Sequence, residues 1–292
     1  MREDALKEDT MCLPSSSLLR KAYGVIPRPH RGQHFLLNDP LLLRIARAAL
    51  PLTHAVVFDI GAGIGSLSRA LLLLGARHVY AVENDRRCLD ALTLLSSHAQ
   101  KRMTVLADDV LRLDIPQLAR RHRLSHHPLK IVANIPYHLS SPLLAMWLRE
   151  SASYGEILIT AQKELVSRLH ATAGRDYGRL SVAVQRVFHV KPLFMIHRRN
   201  FMPPPKVDSQ LVMLRRREKP QMDVVEADLD KILRLAFGMR RKMLATSLAG
   251  LEGGGARLCA DANIDGTLRP QDVPPPCFYR LAQCYTASLG RV

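Results

Sequence analysis

Aromatic residues make up only 5% of this 292-residue chain, which excludes recognition by an array of stacking platforms and leaves single rings to be accounted for. Cysteine is scarcer still. Cys12, Cys88, Cys259, Cys277 and Cys284 are scattered, odd in number and without a CxxC pair. Neither a disulfide framework nor a zinc site is indicated, and a reducing compartment suits them. No apolar run approaches the roughly 20 residues that span a bilayer. Acidic residues are the minority, 26 Asp plus Glu against 42 Lys plus Arg, a formal net charge of +16. That excess favours an anionic polymer or an anionic surface as partner. Met1 to Pro14 carry Glu3, Asp4, Glu8 and Asp9 and no apolar h-region, the mark of neither a secretory signal nor a typical transit peptide, so the cytoplasm is the expected location.

What is present is a large core-forming fraction, 47% hydrophobic, enough for one large domain and a small one. Residues 1–30 read as a loosely ordered tail, polar and then basic. From there to about residue 214, apolar runs of strand length alternate with amphipathic stretches of helix length, the pattern of a parallel α/β sheet. Strands are predicted at 55–59, 78–83, 103–107, 129–133, 156–161, 190–196 and 207–214, with helices such as 66–74 and 86–97 between them. After 215–219 (RRREK) and Pro220 the pattern turns wholly helical, at 226–249 and 275–287, with Gly250 as a C-cap and the proline run 274–276 as a helix start. The predicted division is a tail at 1–30, an α/β domain at 31–219 and a small all-helical domain at 220–292.

The chemistry gathers at predicted strand ends. In FDIGAGIGSLS (58–68) a strand runs into Gly61, Gly63 and Gly65 and then a helix, so that backbone can approach a ligand and the helix N-terminus favours negative charge. The second strand ends in Glu83, a carboxylate able to take both ribose hydroxyls of an adenosine ligand, or else to cap the next helix. The third ends near Asp108 and Asp109, where a carboxylate can accept from an adenine amine. The fourth ends in VANIPYHLSS (132–141). Asn134 offers a carbonyl acceptor, Pro136 constrains the turn beside the Ile135 carbonyl, and Tyr137 offers a flat face. Together they describe a pocket for a planar ring bearing an NH2 group, and not a nucleophile or a metal site. His122, His126 and His127 fall at HxxxHH spacing, but the segment is strongly basic with no carboxylate or cysteine beside it; it reads as a solvated loop, and no metal is expected.

These blocks carry a resemblance. GQHFLLND (32–39), DIGAGIGSLS (59–68), VEND (82–85), NIPYHLSSP (134–142), QKELVSRL (162–169), YGRLSV (177–182), FMPPPKVDS (201–209) and FGMRRKML (237–244) occur in the order found in the small-subunit ribosomal RNA adenine dimethyltransferases. The resemblance runs from about Leu19 to the C-terminus. It implies a Rossmann-like methyltransferase domain, with a seven-stranded sheet whose last strand is antiparallel, followed by a helical domain. It further implies S-adenosyl-L-methionine as cofactor and N6 of two adjacent adenosines near the 3′ end of small-subunit RNA, in the pre-30S particle, as substrate. Carried over by position, His34, Leu36, Gly61, Gly63, Glu83 and Asp109 (or its neighbour Asp108) fall on the cofactor with Asn134, while Asn134, Ile135, Pro136 and Tyr137 hold the target base. Two positions depart from the usual pattern. Ala62 stands where many relatives have proline, and Ile135 where leucine is commoner. Isoleucine there also occurs in the related enzymes that methylate large-subunit RNA and confer macrolide resistance.

A base drawn from its stack can rest on Tyr137 and on Phe201, unless Phe201 only anchors the Pro203–Pro205 loop. Lys206 and the cluster Arg240-Arg241-Lys242, predicted on a helix of the small domain, suit RNA phosphates, together with Arg198, Arg199 and Arg215 to Arg217. A non-catalytic RNA-binding assembly factor is the competing reading, and nothing demands more than a monomer.

Overall fold

Apolar runs that the alternation marked as strands become the centre of a single sheet. The computed structural model describes residues 12–28, 32–122 and 129–291. Its strands are β1 (Phe35–Leu36), β2 (Val56–Ile60), β3 (His78–Val82), β4 (Met103–Leu106), β5 (Leu129–Ala133), β6 (Glu156–Gln162), β7 (Phe188–Ile196), β8 (Phe201–Met202) and β9 (Ser209–Arg216). Seven form one sheet in the order β4-β3-β2-β5-β6-β9-β7, and β1 pairs antiparallel with β8 in a separate ladder. The fold is thus the expected seven-stranded α/β class. β2, β3, β4, β5 and β6 pair in parallel. β2 and β5 are buried at every residue, as a strand must be when helices cover both faces, and this explains their largely apolar character, with buried Asp59 and Lys130 the exceptions.

The pairing register positions the site. Ile60 lies beside Val82, and Val82 beside Leu106, so the residues that follow leave the sheet from one row. The chain winds from β2 outward through β3 to β4, then returns to β5 on the other side of β2. That reversal leaves a crevice beyond the carboxyl ends of β2 and β5. Helices over this part start on local caps. Asn38, Asp85 and Asp114 each accept a backbone N–H within the first turn of Asp39–Arg47, Arg86–Ser97 and Ile115–Arg121.

Contacts divide the chain into two units. One takes the chain up to Ala161 together with Phe194–Leu211, and the other takes Gln162–Leu193 with everything from Val212 onward. The second unit has its own core, in which Tyr177 and Val182 pack with Leu229, Ile232, Phe278, Tyr279 and Tyr285. The Tyr279 hydroxyl donates to the Val182 carbonyl at 2.9 Å. The predicted boundary at 219/220 therefore differs from the packing, which joins helices Lys163–His170 and Arg179–Val187 to the C-terminal helices. No break in composition near 162 signals this.

Four local expectations are corrected. Residues 16–23 were expected in a loose tail but form a helix, capped by Ser15 and ended by Gly24 in the left-handed conformation, with Leu19 wholly buried. The helical run at 226–249 is interrupted: the helix Glu226–Gly238 stops, and Leu244–Ser247 forms a separate short helix. There the Leu244 and Ala245 amides donate to the carbonyls of Leu268 and Gly266 at 2.7 and 3.0 Å. Arg240, Arg241 and Lys242 accordingly sit in the turn and not on a helix. Leu248, and not Gly250, caps the short helix. The proline start at 274–276 does open the helix Pro275–Ser288. Among the described residues, no helix is long and apolar enough to cross a membrane.

Candidate active site

A cavity of about 350 Å³ opens at the carboxyl edge of the sheet, and its walls carry Gly32, Gln33, His34, Gly61, Gly63, Glu83, Asp108, Asp109, Asn134 to Leu139 and Phe201. The glycine turn forms one side. Gly61 has φ +68°, and a Cβ there would lie 3.3 Å from the Pro136 ring. Glycine is thus required both for the backbone conformation and for the approach of the Asn134–Tyr137 turn.

Glu83 is 7% exposed. Its Oε2 accepts from the Gly63 N–H at 2.7 Å, and its Oε1 accepts from the Asn84 and Asp85 N–H groups at 2.9 and 2.8 Å. Burial nevertheless lifts its pKa above the ordinary value, against those three bonds. The helix that follows is capped by Asp85, so capping that helix does not account for Glu83. Three of the roughly four acceptor positions of the carboxylate are used, and one on Oε2 is left for a ligand hydroxyl. Asp108 accepts the Asp109 N–H at 2.7 Å, and Asp109 accepts the Leu111 N–H at 3.0 Å, each through one oxygen.

Asn134 donates through Nδ2 to the His34 carbonyl at 3.0 Å, which turns the side chain so that Oδ1 is its acceptor end. Ile135 is buried, and Tyr137 to Leu139 form one 3-10 turn behind Pro136. The Tyr137 hydroxyl bonds Ser209 Oγ at 2.6 Å. The His34 ring stacks on the Tyr137 ring at 5.7 Å, with an interplanar angle of 27°. His34 Nδ1 lies 2.7 Å from the Pro203 carbonyl, an acceptor only, so Nδ1 carries the hydrogen. Phe201 is buried and pairs across the short ladder with Leu36.

Most of the expected residues therefore meet on one cavity. Leu36 does not: it lines a smaller space behind the glycine turn, with Asp59 and Ser66. Lys206 is exposed on the loop between β8 and β9, where its carbonyl accepts from Arg198 at 3.3 Å. Arg240 uses its guanidinium on the carbonyls of Gly174 and Arg175, both at 3.0 Å, while Arg241 and Lys242 are exposed. Arg217 is likewise committed to the Gln185 carbonyl at 3.0 Å. His126 and His127 lie outside the described residues. Gln33 and Asn84 line the cavity unforeseen; both stand inside the quoted GQHFLLND and VEND blocks, but neither residue type by itself announces a role. Gln33 ties the segment before it to the strand edge, accepting from the Arg28 N–H and donating to Asp85, each at 2.9 Å.

Asp59, at the end of β2, is 1% exposed and accepts from the Ser68 hydroxyl at 2.7 Å. Burial first, opposed by Ser68 and reinforced by the Glu83 charge, lifts its pKa from the ordinary 3.8 to about 7. The folded state then holds a proton that the unfolded chain has released, so this group makes stability fall as pH rises between about 4 and 7. The stability of Asp59→Asn relative to the unaltered protein is expected to grow across that interval and level off above it. Urea-unfolding midpoints from pH 4 to 8 measure this, and a difference independent of pH would refute it.

An open sheet that sets its polar groups at the carboxyl ends of strands on both sides of a switch point is the architecture of the Rossmann-like methyltransferases, and the chain is of that class. Within the class one family matches. Residues 27–286 fit the model of the family described as Ribosomal RNA adenine dimethylase, and this chain belongs to that family. It is 38% identical to the Ribosomal RNA small subunit methyltransferase A of Rhodospirillum rubrum, over 94% of each chain. It is 40% identical to the protein of the same name from Paramagnetospirillum magneticum, over 91% of this chain and 92% of that one. A dimethyladenosine transferase from Plasmodium falciparum superposes with a TM-score of 0.72 at 25% identity, over 88% of this chain and 99% of its own. The 23S rRNA methyltransferase ErmE does so with a TM-score of 0.66 at 25% identity, over 86% and 99%.

Proposed function

We propose that this protein transfers methyl groups from S-adenosyl-L-methionine to N6 of two adjacent adenosines near the 3′ end of small-subunit ribosomal RNA, giving N6,N6-dimethyladenosines during ribosome assembly in the cytoplasm. The observation that carries this is the meeting of the glycine turn, Glu83, the Asp108–Asp109 pair and the Asn134–Tyr137 turn on one cavity. The small-subunit names of the relatives at 38–40% identity support the choice of substrate over the 23S enzyme at 25%.

The residues suit the cofactor. The glycine turn lines the cavity with bare backbone at Gly61 and Gly63, and a Cβ at Gly61 would press on the Pro136 ring. Glu83 retains an acceptor position for a ribose hydroxyl, and Asp109, or Asp108 beside it, retains an oxygen for an adenine amine. Bound there, S-adenosyl-L-methionine supplies an electrophilic methyl group on a positively charged sulfur.

The chain's own work is positioning. The N6 amine of adenine is a weak nucleophile because its lone pair is delocalised into the ring. Asn134 Oδ1 and the Ile135 carbonyl accept its hydrogens, favour tetrahedral nitrogen and aim the lone pair along the line of displacement. Once methylated, the amine would have one proton to release to water, so no strong general base is essential. Tyr137 and Phe201 offset the cost of drawing the base from its stack. We assign the chemistry to the unit that carries the cavity, and phosphate contacts to Lys206, Arg241 and Lys242, with the C-terminal helices as the RNA-binding region. Arg240 shapes the adjoining loop from within the same cluster. A monomer is sufficient for this reaction.

Tritium transfer from labelled S-adenosyl-L-methionine to under-methylated small subunits, large subunits and duplex DNA tests the reading. Label is expected on small subunits alone, recovered as N6,N6-dimethyladenosine. Label on large subunits would move the protein to the resistance-type enzymes. Binding to small subunits without transfer would make it an assembly factor.

A further inference from the structure

The segment Phe201–Ser209 reaches the cavity twice through hydrogen bonds, and each time it holds a ring. The Pro203 carbonyl accepts from His34 Nδ1 at 2.7 Å, and Ser209 Oγ bonds the Tyr137 hydroxyl at 2.6 Å. The two rings so held are stacked on one another. Ser209 is fully buried at the first residue of β9, where it serves neither as a helix cap nor as part of the cavity wall. Burial raises the Tyr137 pKa, so its hydroxyl stays protonated and able to keep this bond.

The two methyl transfers do not need the tyrosine equally. An unmodified amine has two hydrogens, which two acceptors, Asn134 Oδ1 and a backbone carbonyl, can hold. After one methylation a single hydrogen is left, and the nitrogen is oriented by one hydrogen bond and by the stacked ring. The second transfer therefore depends more on a Tyr137 ring held in position.

We propose that Ser209 is a positioning residue for the second methylation: by fixing the Tyr137 ring through its hydroxyl, it sets the ratio of dimethylated to monomethylated product. This rests on the methyl-transfer reading above. Ser209 lies outside the cavity wall and acts through Tyr137, and one neutral hydrogen bond corresponds to roughly a threefold to tenfold effect.

The test is a time course with under-methylated small subunits, in which N6-methyladenosine and N6,N6-dimethyladenosine are separated chromatographically, for the unaltered protein, Ser209→Ala, Tyr137→Phe and the double variant. Each single variant is expected to raise the proportion of monomethylated product by about threefold to tenfold, with a smaller change in the first transfer. The double variant is expected to match the singles, because both remove the same bond. Tyr137→Phe leaves the β9 backbone and Ser209 in place, so it reads the same bond if Ser209→Ala folds poorly. An unchanged product ratio in Tyr137→Phe overturns the assignment, and so do additive effects in the double variant. Absence of transfer by the unaltered protein overturns the methyl-transfer reading itself, an outcome distinct from normal dimethylation by the variants.

Discussion

Asn134→Ala is expected to lower the turnover number by on the order of 10² to 10³ while the cofactor still binds, the loss found when one preorganised polar group is removed from a reacting centre. Two things disappear together in this variant. One is the acceptor oxygen, which in our reading holds the target amine. The other is the donated bond to the His34 carbonyl at 3.0 Å, which gives that oxygen its direction. Asn134→Asp separates them. It retains an acceptor oxygen on the side chain but replaces the donated bond by a carboxylate facing the His34 carbonyl, so that oxygen loses its direction and activity is expected to fall to a similar degree. Single-turnover methylation of under-methylated small subunits, with cofactor affinity measured by calorimetry in parallel, provides the readout. Turnover within threefold of the unaltered protein for either variant would remove Asn134 from the reaction.

Glu83→Ala is expected to weaken the cofactor at least tenfold and also to destabilise the fold by about 1–3 kcal/mol, the cost of leaving buried donors without partners. The dual effect follows from geometry. The carboxylate already accepts from three backbone N–H groups, of Gly63, Asn84 and Asp85, and so it knots the glycine turn to the end of β3 before any ligand arrives. Glu83→Gln keeps one acceptor oxygen but presents an amide NH2 to one of those N–H groups, and its effect should fall between the two. Urea unfolding and cofactor calorimetry on the same preparations check this. A variant that loses stability yet binds the cofactor normally would reduce Glu83 to a structural knot.

Much of this protein was legible along the chain. The five parallel strands were located to within a residue or two, because strands covered by helices are largely apolar and because Gly, Asp and Pro mark their ends. The elements that were not foreseen are short or non-local. β1 and β8 have two residues each, too few for alternation to show. The helix Ser16–Tyr23 has eight, and Leu19 is buried only because the tertiary structure covers it. At 226–249 the helical period persists through the sequence, yet the helix stops at Gly238, and the amides of Leu244 and Ala245 find carbonyl partners at Leu268 and Gly266 in place of continuing it. Similarly, composition marks Arg240, Arg241 and Lys242 as alike, whereas Arg240 is committed to two backbone carbonyls.

The division has a physical cause. Residue type and spacing act locally, so the sequence by itself determined which side chains stand at the ends of which strands: the glycines after β2, Glu83 after β3, Asp108 and Asp109 after β4, Asn134 to Tyr137 after β5. Only the tertiary structure decided that these four ends share one edge, since that depends on β2 lying between β3 and β5 in a register that a one-residue slip would invert. It also decided what each group had left to offer: the one acceptor position still open on Glu83, the direction of the Asn134 oxygen, and a tyrosine ring held by a serine 72 residues further along the chain.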